Sequence, residues 1–164
     1  MASGFRVARD GNNLYVQASG LANMKNAPIL DALFQSDAHR DLQMICIDLA
    51  QCTGMDSTFM GLLVGTSSLM KADSRRLVVV NPSDLCMKLL DMLGVSEVLP
   101  VLARCPSPDI AFVDLGEGCM AVGAMQRMEV IRRAHHALAG VNEANHVKFA
   151  AFIAALEADL AKLK

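Results

Sequence analysis

The chain is predicted to be an α/β domain: a mixed sheet of four to five strands with helices, followed by a C-terminal helical hairpin. Three observations predict this. Through residues 1–102, short apolar runs of strand length alternate with segments whose apolar residues recur at helical spacing. Apolar residues make up 53% of the 164 and charged residues 20%, so the chain can bury a core and does not have the composition of a disordered one. Beyond a proline-rich break, two long amphipathic segments meet around one glycine.

The elements follow in order. Residues 5–9 and 14–18 alternate around Asp10-Gly11-Asn12-Asn13, whose glycine and asparagines tolerate the backbone of a tight hairpin turn. Gly20-Leu21-Ala22-Asn23 breaks the second strand. A first helix is expected over residues 27–39, with Leu30, Leu33, Phe34 and Ala38 on one face. Residues 44–49 form a compact apolar run, as a buried central strand does, and a short polar loop follows. A second helix is expected over residues 57–72, with an apolar stripe of Phe59, Leu62, Leu63, Thr66, Leu69 and Met70. Residues 77–80 are another buried strand, ended by Asn81-Pro82. Ser83 is placed to cap a third helix that turns Leu85, Leu89, Leu90 and Leu93 inward and stops at Gly94. Val98-Leu99 is the candidate for a last short strand.

Strands alternating with helices imply parallel pairs joined by helical crossovers. The domain is therefore set at residues 1–102. Ala103-Arg104-Cys105-Pro106-Ser107-Pro108-Asp109 begins a linker over 103–118, with Gly116-Glu117-Gly118 as a second break. The hairpin extension spans 119–164. Its first helix carries Ala124, Met128, Ile131, His135 and Leu138. Its second carries Phe149, Ile153, Leu156, Leu160 and Leu163, with Asn142 or a neighbour as cap.

Composition excludes several functions. The formal net charge of −2 and the lack of a basic patch argue against a nucleic-acid partner. No apolar run approaches the roughly 18 to 20 residues of a membrane span, and the first residues have no apolar leader core. The five scattered cysteines contain no C-x-x-C and read as reduced, mostly buried thiols, which points to the cytoplasm. The four histidines are not spaced as metal ligands, so no metal and no cofactor is expected. Gly61-x-x-x-Gly65-Thr66-Ser67 lacks the lysine of a phosphate loop and lies inside a helix. With no nucleophile–base pair and no dinucleotide motif, the chain has no expected catalytic residue and is not expected to be an enzyme. His135 is expected on the packed seam of its helix and His136 in solvent.

The candidate functional centre is Asp56-Ser57. A buried strand ends, a loop follows, and this pair opens a helix. Ser57 is thereby held at the positive end of a helix, where an anion is favoured. Capping alone accounts for an Asp-Ser pair; the surrounding pattern makes it a site. Thr58 is a second, weaker acceptor candidate whose methyl can pack against the loop. Gly54, Met55, Met60 and Gly61 flank the pair and are the expected partner-binding residues, methionines being adaptable contacts.

Residues 5–102 resemble a STAS domain, the fold of bacterial anti-sigma factor antagonists. The resemblance is carried by Ile47-Asp48-Leu49, then Asp56-Ser57-Thr58-Phe59-Met60-Gly61-Leu62-Leu63, then Arg76-Leu77-Val78-Val79-Val80-Asn81-Pro82, then Leu89-Leu90-Asp91-Met92-Leu93-Gly94-Val95. It covers about three fifths of the chain, and the ordered set is more specific than any one motif. It implies a protein that is acted upon. The serine is phosphorylated by an anti-sigma factor serine kinase and dephosphorylated by a PP2C-type phosphatase, and the unphosphorylated form binds the anti-sigma factor. Carried over, the phosphoacceptor is Ser57. One position departs from the family: Asn23 stands where many members have an acid near the serine, keeping hydrogen-bonding reach without the charge. The alternative is a STAS module that binds a nucleotide, a lipid or a transport-complex partner without phosphorylation. The hairpin at 119–164 lies outside the usual domain and is expected to cover the core or to form a homodimer.

Overall fold

The structure is a computed structural model that describes residues 2–36, 40–116 and 122–163. β1 (Gly4–Asp10) and β2 (Asn13–Ala22) form the expected hairpin, paired antiparallel with Asp10 opposite Asn13 and Gly11 in the left-handed region at φ 60°. After α1 (Ala27–Gln35), β3 (Met44–Met55) runs parallel to β2, and β4 (Arg76–Val80) runs parallel to β3. α2 (Ser57–Ala72) crosses between β3 and β4. The first helix stops at Gln35, where the backbone of Ser36 turns extended, short of the expected residue 39; Ala38 and His39 lie outside the described residues, as do Glu117, Gly118, Cys119 and the start of the hairpin.

Among the described residues the sheet has six strands in the order β5-β4-β3-β2-β1-β6, rather than four or five. Its edge strands β5 (Val101–Leu102) and β6 (Val113–Asp114) are two residues each, too short to carry an alternating pattern. The expected strand at Val98-Leu99 is instead the end of a helical turn, α4 (Val95–Val98), and the strand begins two residues later, after Pro100. β3 is also longer than expected. Its polar second half, 50–55, continues pairing with β2 across register shifts, so the loop before Asp56 is extended strand. The segment read as a linker lies along the sheet. Asn81 donates to the Cys105 carbonyl at 2.8 Å and accepts from the Cys105 N–H at 2.7 Å, and the Leu115 N–H donates to the Phe5 carbonyl at 2.9 Å.

Helices α1 to α3 (the last Asp84–Met92) pack against the main apolar face of the sheet, in a core that includes Leu14, Val16, Ile47, Phe59, Leu63, Leu77 and Leu90. Ser83 caps α3 as expected, its Oγ accepting from the Cys86 N–H at 3.1 Å. Leu85, however, is exposed and Cys86 faces inward, a shift of one position around the helix. The opposite sheet face carries a small cluster, Cys46, Val78 and Val80, flanked by Tyr15, Met44 and Cys105.

The hairpin, α5 (Ala124–Ala139) and α6 (Glu143–Leu163), is a further layer. α5 packs on α2, and α6 packs on α5. Leu138, Phe149 and Ile153 belong to the same core cluster as the sheet. Asn142 Oδ1 accepts from the Asn145 N–H, as expected of a cap. Asn145 is buried, and its side-chain amide donates to the carbonyls of Leu93 and Leu138 at 2.8 and 3.0 Å, tying α6 to the end of α3. Gly94 takes φ 71° there, and an added Cβ would sit 2.7 Å from the Asn142 side-chain nitrogen.

Candidate functional site

The Asp56-Ser57 pair sits where β3 hands over to α2. Asp56 is extended, with φ −106° and ψ 178°, the backbone an N-cap requires. Its Oδ1 accepts from the Phe59 N–H at 2.9 Å and its Oδ2 from the Met24 N–H at 2.8 Å. One carboxylate therefore caps α2 and pins the turn between β2 and α1 beside it. The Asp56 N–H donates to the Ala22 carbonyl, closing the junction. Ser57 is the first residue of α2 and is half-buried.

Asn23 lies in the pinned turn. Its Oδ1 accepts from the Lys25 N–H, and its own N–H donates to Asn26 Oδ1, both at 3.0 Å. Its side-chain oxygen is engaged in the local turn, the usual role of an Asx residue. Thr58 is 3% exposed and Met60 3%, and Gly54 and Gly61 are buried as well; Met55 is half-buried against the core. Of the residues named from the sequence, Asp56, Ser57 and Asn23 meet at the surface, whereas Thr58, Met60 and Gly61 point beneath it. Leu21 and Met24, in and beside the pinned turn, are about half exposed. They are the apolar groups that the site presents outward.

The structure adds a residue that the sequence did not connect to the site. Ser57 Oγ lies 2.8 Å from Nε2 of His135, on α5. His135 Nδ1 lies 2.7 Å from the Ile131 carbonyl, which can only accept, so Nδ1 carries the proton and donates. The lone pair on Nε2 then receives the serine O–H. His135 is 3% exposed and packs edge-on to Phe149 and tilted against Phe152. Burial lowers its pKa from the ordinary histidine value, opposed by the Ile131 hydrogen bond and by the charge of Asp56. The neutral form is the one that fits this geometry. His136 is exposed and paired with Glu157 at 2.7 Å, as its place on the helix implied.

Gly61 explains how α5 comes so close. An added Cβ there would overlap the Ala134 carbonyl, so glycine permits the backbones of α2 and α5 to touch. Arg133 reaches Asp31 of α1 at 2.8 Å, and that carboxylate is 4% exposed. Arg127 donates to the Lys25 carbonyl at 3.0 Å. Cysteines 46, 52 and 86 are buried; burial, with the nearby Cys105 and Asp48, pushes Cys46 up to about 11, so it stays a thiol. No group of three metal-ligating side chains occurs among the described residues. None of their helices is long and apolar enough to cross a membrane.

Comparison with known proteins agrees with this architecture. The anti-sigma-B factor antagonist of Bacillus subtilis (strain 168) is 27% identical over 99 residues, covering 60% of this chain and 89% of that protein. The fold matches the anti-sigma factor antagonist SpoIIAA in its unphosphorylated form with a TM-score of 0.51 at 16% identity, over 60% of this chain and 87% of that one. It matches TM1081 of Thermotoga maritima with a TM-score of 0.55 at 14% identity, over 60% and 85% of the two chains. The family model described as "Mlab, STAS domain" matches residues 5–102, and the chain belongs to the STAS domain family.

Proposed function

We propose that this chain is an anti-sigma factor antagonist switched by phosphorylation of Ser57. Unphosphorylated, it binds an anti-sigma factor that is also a serine kinase; phosphorylated, it lets go, and a PP2C-type phosphatase restores it. The process belongs to the cytoplasm. The observation that carries the reading is the placement of Ser57: a hydroxyl at the first position of α2, behind an Asp56 cap, in a STAS domain related to an anti-sigma-B factor antagonist.

Physical chemistry supports the switch. A phosphate adds about −1.5 to −2 charges and new acceptor oxygens. The helix N-terminus favours the anion, so the STAS core tolerates it. The cost falls on a partner that must bury or face that charge. A loss of about 2.7 kcal/mol weakens binding about a hundredfold. Leu21 and Met24, exposed beside Asp56, supply apolar contact for such a partner. Pull-downs from the native cell with Ser57→Ala and Ser57→Asp test it. The alanine variant is expected to retain the partner and the aspartate variant to lose it; equal capture by both sinks the proposal.

One observation favours a second reading. The hydroxyl of Ser57 already has a partner inside the chain, His135. In that reading Ser57 is a structural contact, and the chain is a STAS module that works on a nucleotide, a lipid or a transport-complex partner without phosphorylation. A homodimer through the hairpin fits either reading. It would use exposed apolar residues of α6, such as Val147 and Leu163.

A further inference from the structure

The surface around Ser57 has an occupant, and it is part of the same chain. His135 Nε2 lies at hydrogen-bond distance from the serine oxygen, 2.8 Å, and its ring is enclosed by Phe149 and Phe152. A phosphoryl group on Oγ brings three further oxygens. Phosphorylation also removes the Oγ proton that Nε2 accepts and sets anionic oxygens beside that lone pair, so the Ser57–His135 contact cannot persist as it stands. α5 is fastened in place next to the contact. The Ala134 carbonyl seats against Gly61, Arg133 pairs with the buried Asp31, and Arg127 holds the Lys25 carbonyl at the turn beside Asp56. Gly61, one of the residues expected to touch a partner, is covered by the same helix.

We propose that α5 masks the phosphoacceptor surface: the hairpin must lift from α2 before Ser57 can be phosphorylated, and a protein partner that engages this surface does so by displacing α5. The inference rests on the reading of Ser57 as phosphoacceptor and adds its regulation. In the transfer itself, the Oγ–P bond forms as the γ-phosphoryl of a nucleoside triphosphate leaves its diphosphate, and the serine proton passes to a base of the kinase. His135 serves the masked state, where its Nε2 holds the hydroxyl proton in a hydrogen bond.

The test uses the full chain with Ser57→Cys as an accessibility probe. A maleimide is the reagent, and peptide mass spectrometry assigns the labelled residue. Labelling of position 57 is expected to be slow when the hairpin is intact. Adding Ala134→Arg, whose side chain cannot be buried against α2, is expected to speed it by about tenfold or more. Arg133→Glu sets a carboxylate against the buried Asp31 while leaving the apolar contacts in place, and is expected to shift the rate the same way by less. Should Ala134→Arg fail to fold, Arg133→Glu carries the test. Fast labelling with the hairpin intact, or equal rates in all variants, overturns the inference. A second arm measures the phosphorylated fraction of native Ser57 in the source cell, with and without Arg133→Glu. The fraction is expected to rise with the substitution. Unmasking by label with no phosphate at Ser57 in either protein would leave the mask standing and defeat the phosphoacceptor reading. Phosphate at Ser57 with equal labelling would do the reverse.

Discussion

Ser57 and His135 define the chemistry of the site at the scale of single residues. Because Ile131 holds the proton on Nδ1, a neutral imidazole is the natural acceptor for the serine hydroxyl. Burial lowers the pKa of His135 in the folded chain. Above the ordinary histidine value of about 6.5, both the docked and the released ring are neutral, and pH has no leverage through this group. As pH falls below about 6.5, the released ring takes up its proton first, so docking weakens; the loss levels off once pH is below the lowered, docked value. Asp56, whose charge favours the protonated ring, opposes but does not reverse this direction. Amide protection of α5, corrected for intrinsic exchange, is therefore expected to fall between pH 7 and pH 5, on the order of the histidine range. That dependence is expected to be absent in His135→Gln, and an unchanged profile in the variant would refute the assignment. The Asp-Ser pair was legible in the sequence because a cap is local: Asp56 meets the N–H three residues on. Its histidine partner was not. The two are 78 positions apart, and nothing in the spacing of α5 says which helix its seam will face.

At the scale of elements, α2 is the member on which the layers converge. Nine of its 16 residues are buried, among them Thr58, Met60, Gly61 and Val64 together with Phe59, Leu62 and Leu63. A helix buried on one face shows a single stripe; one held between a sheet and another helix shows apolar residues on two sides. That is why the stripe read from the sequence was right at Phe59, Leu63 and Met70 and wrong at Leu69, which is 64% exposed. The main strands were legible because β1 and β2 alternate around a turn signal and β3 and β4 contain compact apolar runs. The two-residue strands at the sheet edges were not, since pairing with a neighbour defines them, not pattern. The hairpin helices were recognisable from periodicity, but their docking onto α2 depends on Gly61 and Ala134, two small residues whose meaning appears only when the helices are apposed. Leu138 of α5 is fully buried in the main core cluster. Leu138→Ala is expected to destabilise the whole fold by about 2–5 kcal/mol, in a single denaturant transition. Loss confined to the hairpin, with the STAS core unaffected, would separate the two and contradict a shared core.

At the scale of the whole molecule, the chain is a STAS domain whose helical extension is built into its core and laid across its proposed regulatory serine. The extension shares Leu138, Phe149 and Ile153 with the central cluster and is anchored to α3 through Asn145. The same layer that completes the core packs beside Ser57, and its displacement is the proposed condition for another protein to act there. Two demands meet there. The STAS core must present a hydroxyl at a helix start, and the extension must be able to leave it. α5 is held near Ser57 by the Ser57–His135 hydrogen bond, by the Arg133–Asp31 pair and by the packing of Phe149 on the His135 ring. Ser57 is the residue on which regulation is proposed to act. Phosphosite mass spectrometry on the protein isolated from its native cell tests it most directly. Phosphate is expected on Ser57, removed by treatment with a PP2C-type phosphatase; phosphate found only at other residues would overturn that role for Ser57.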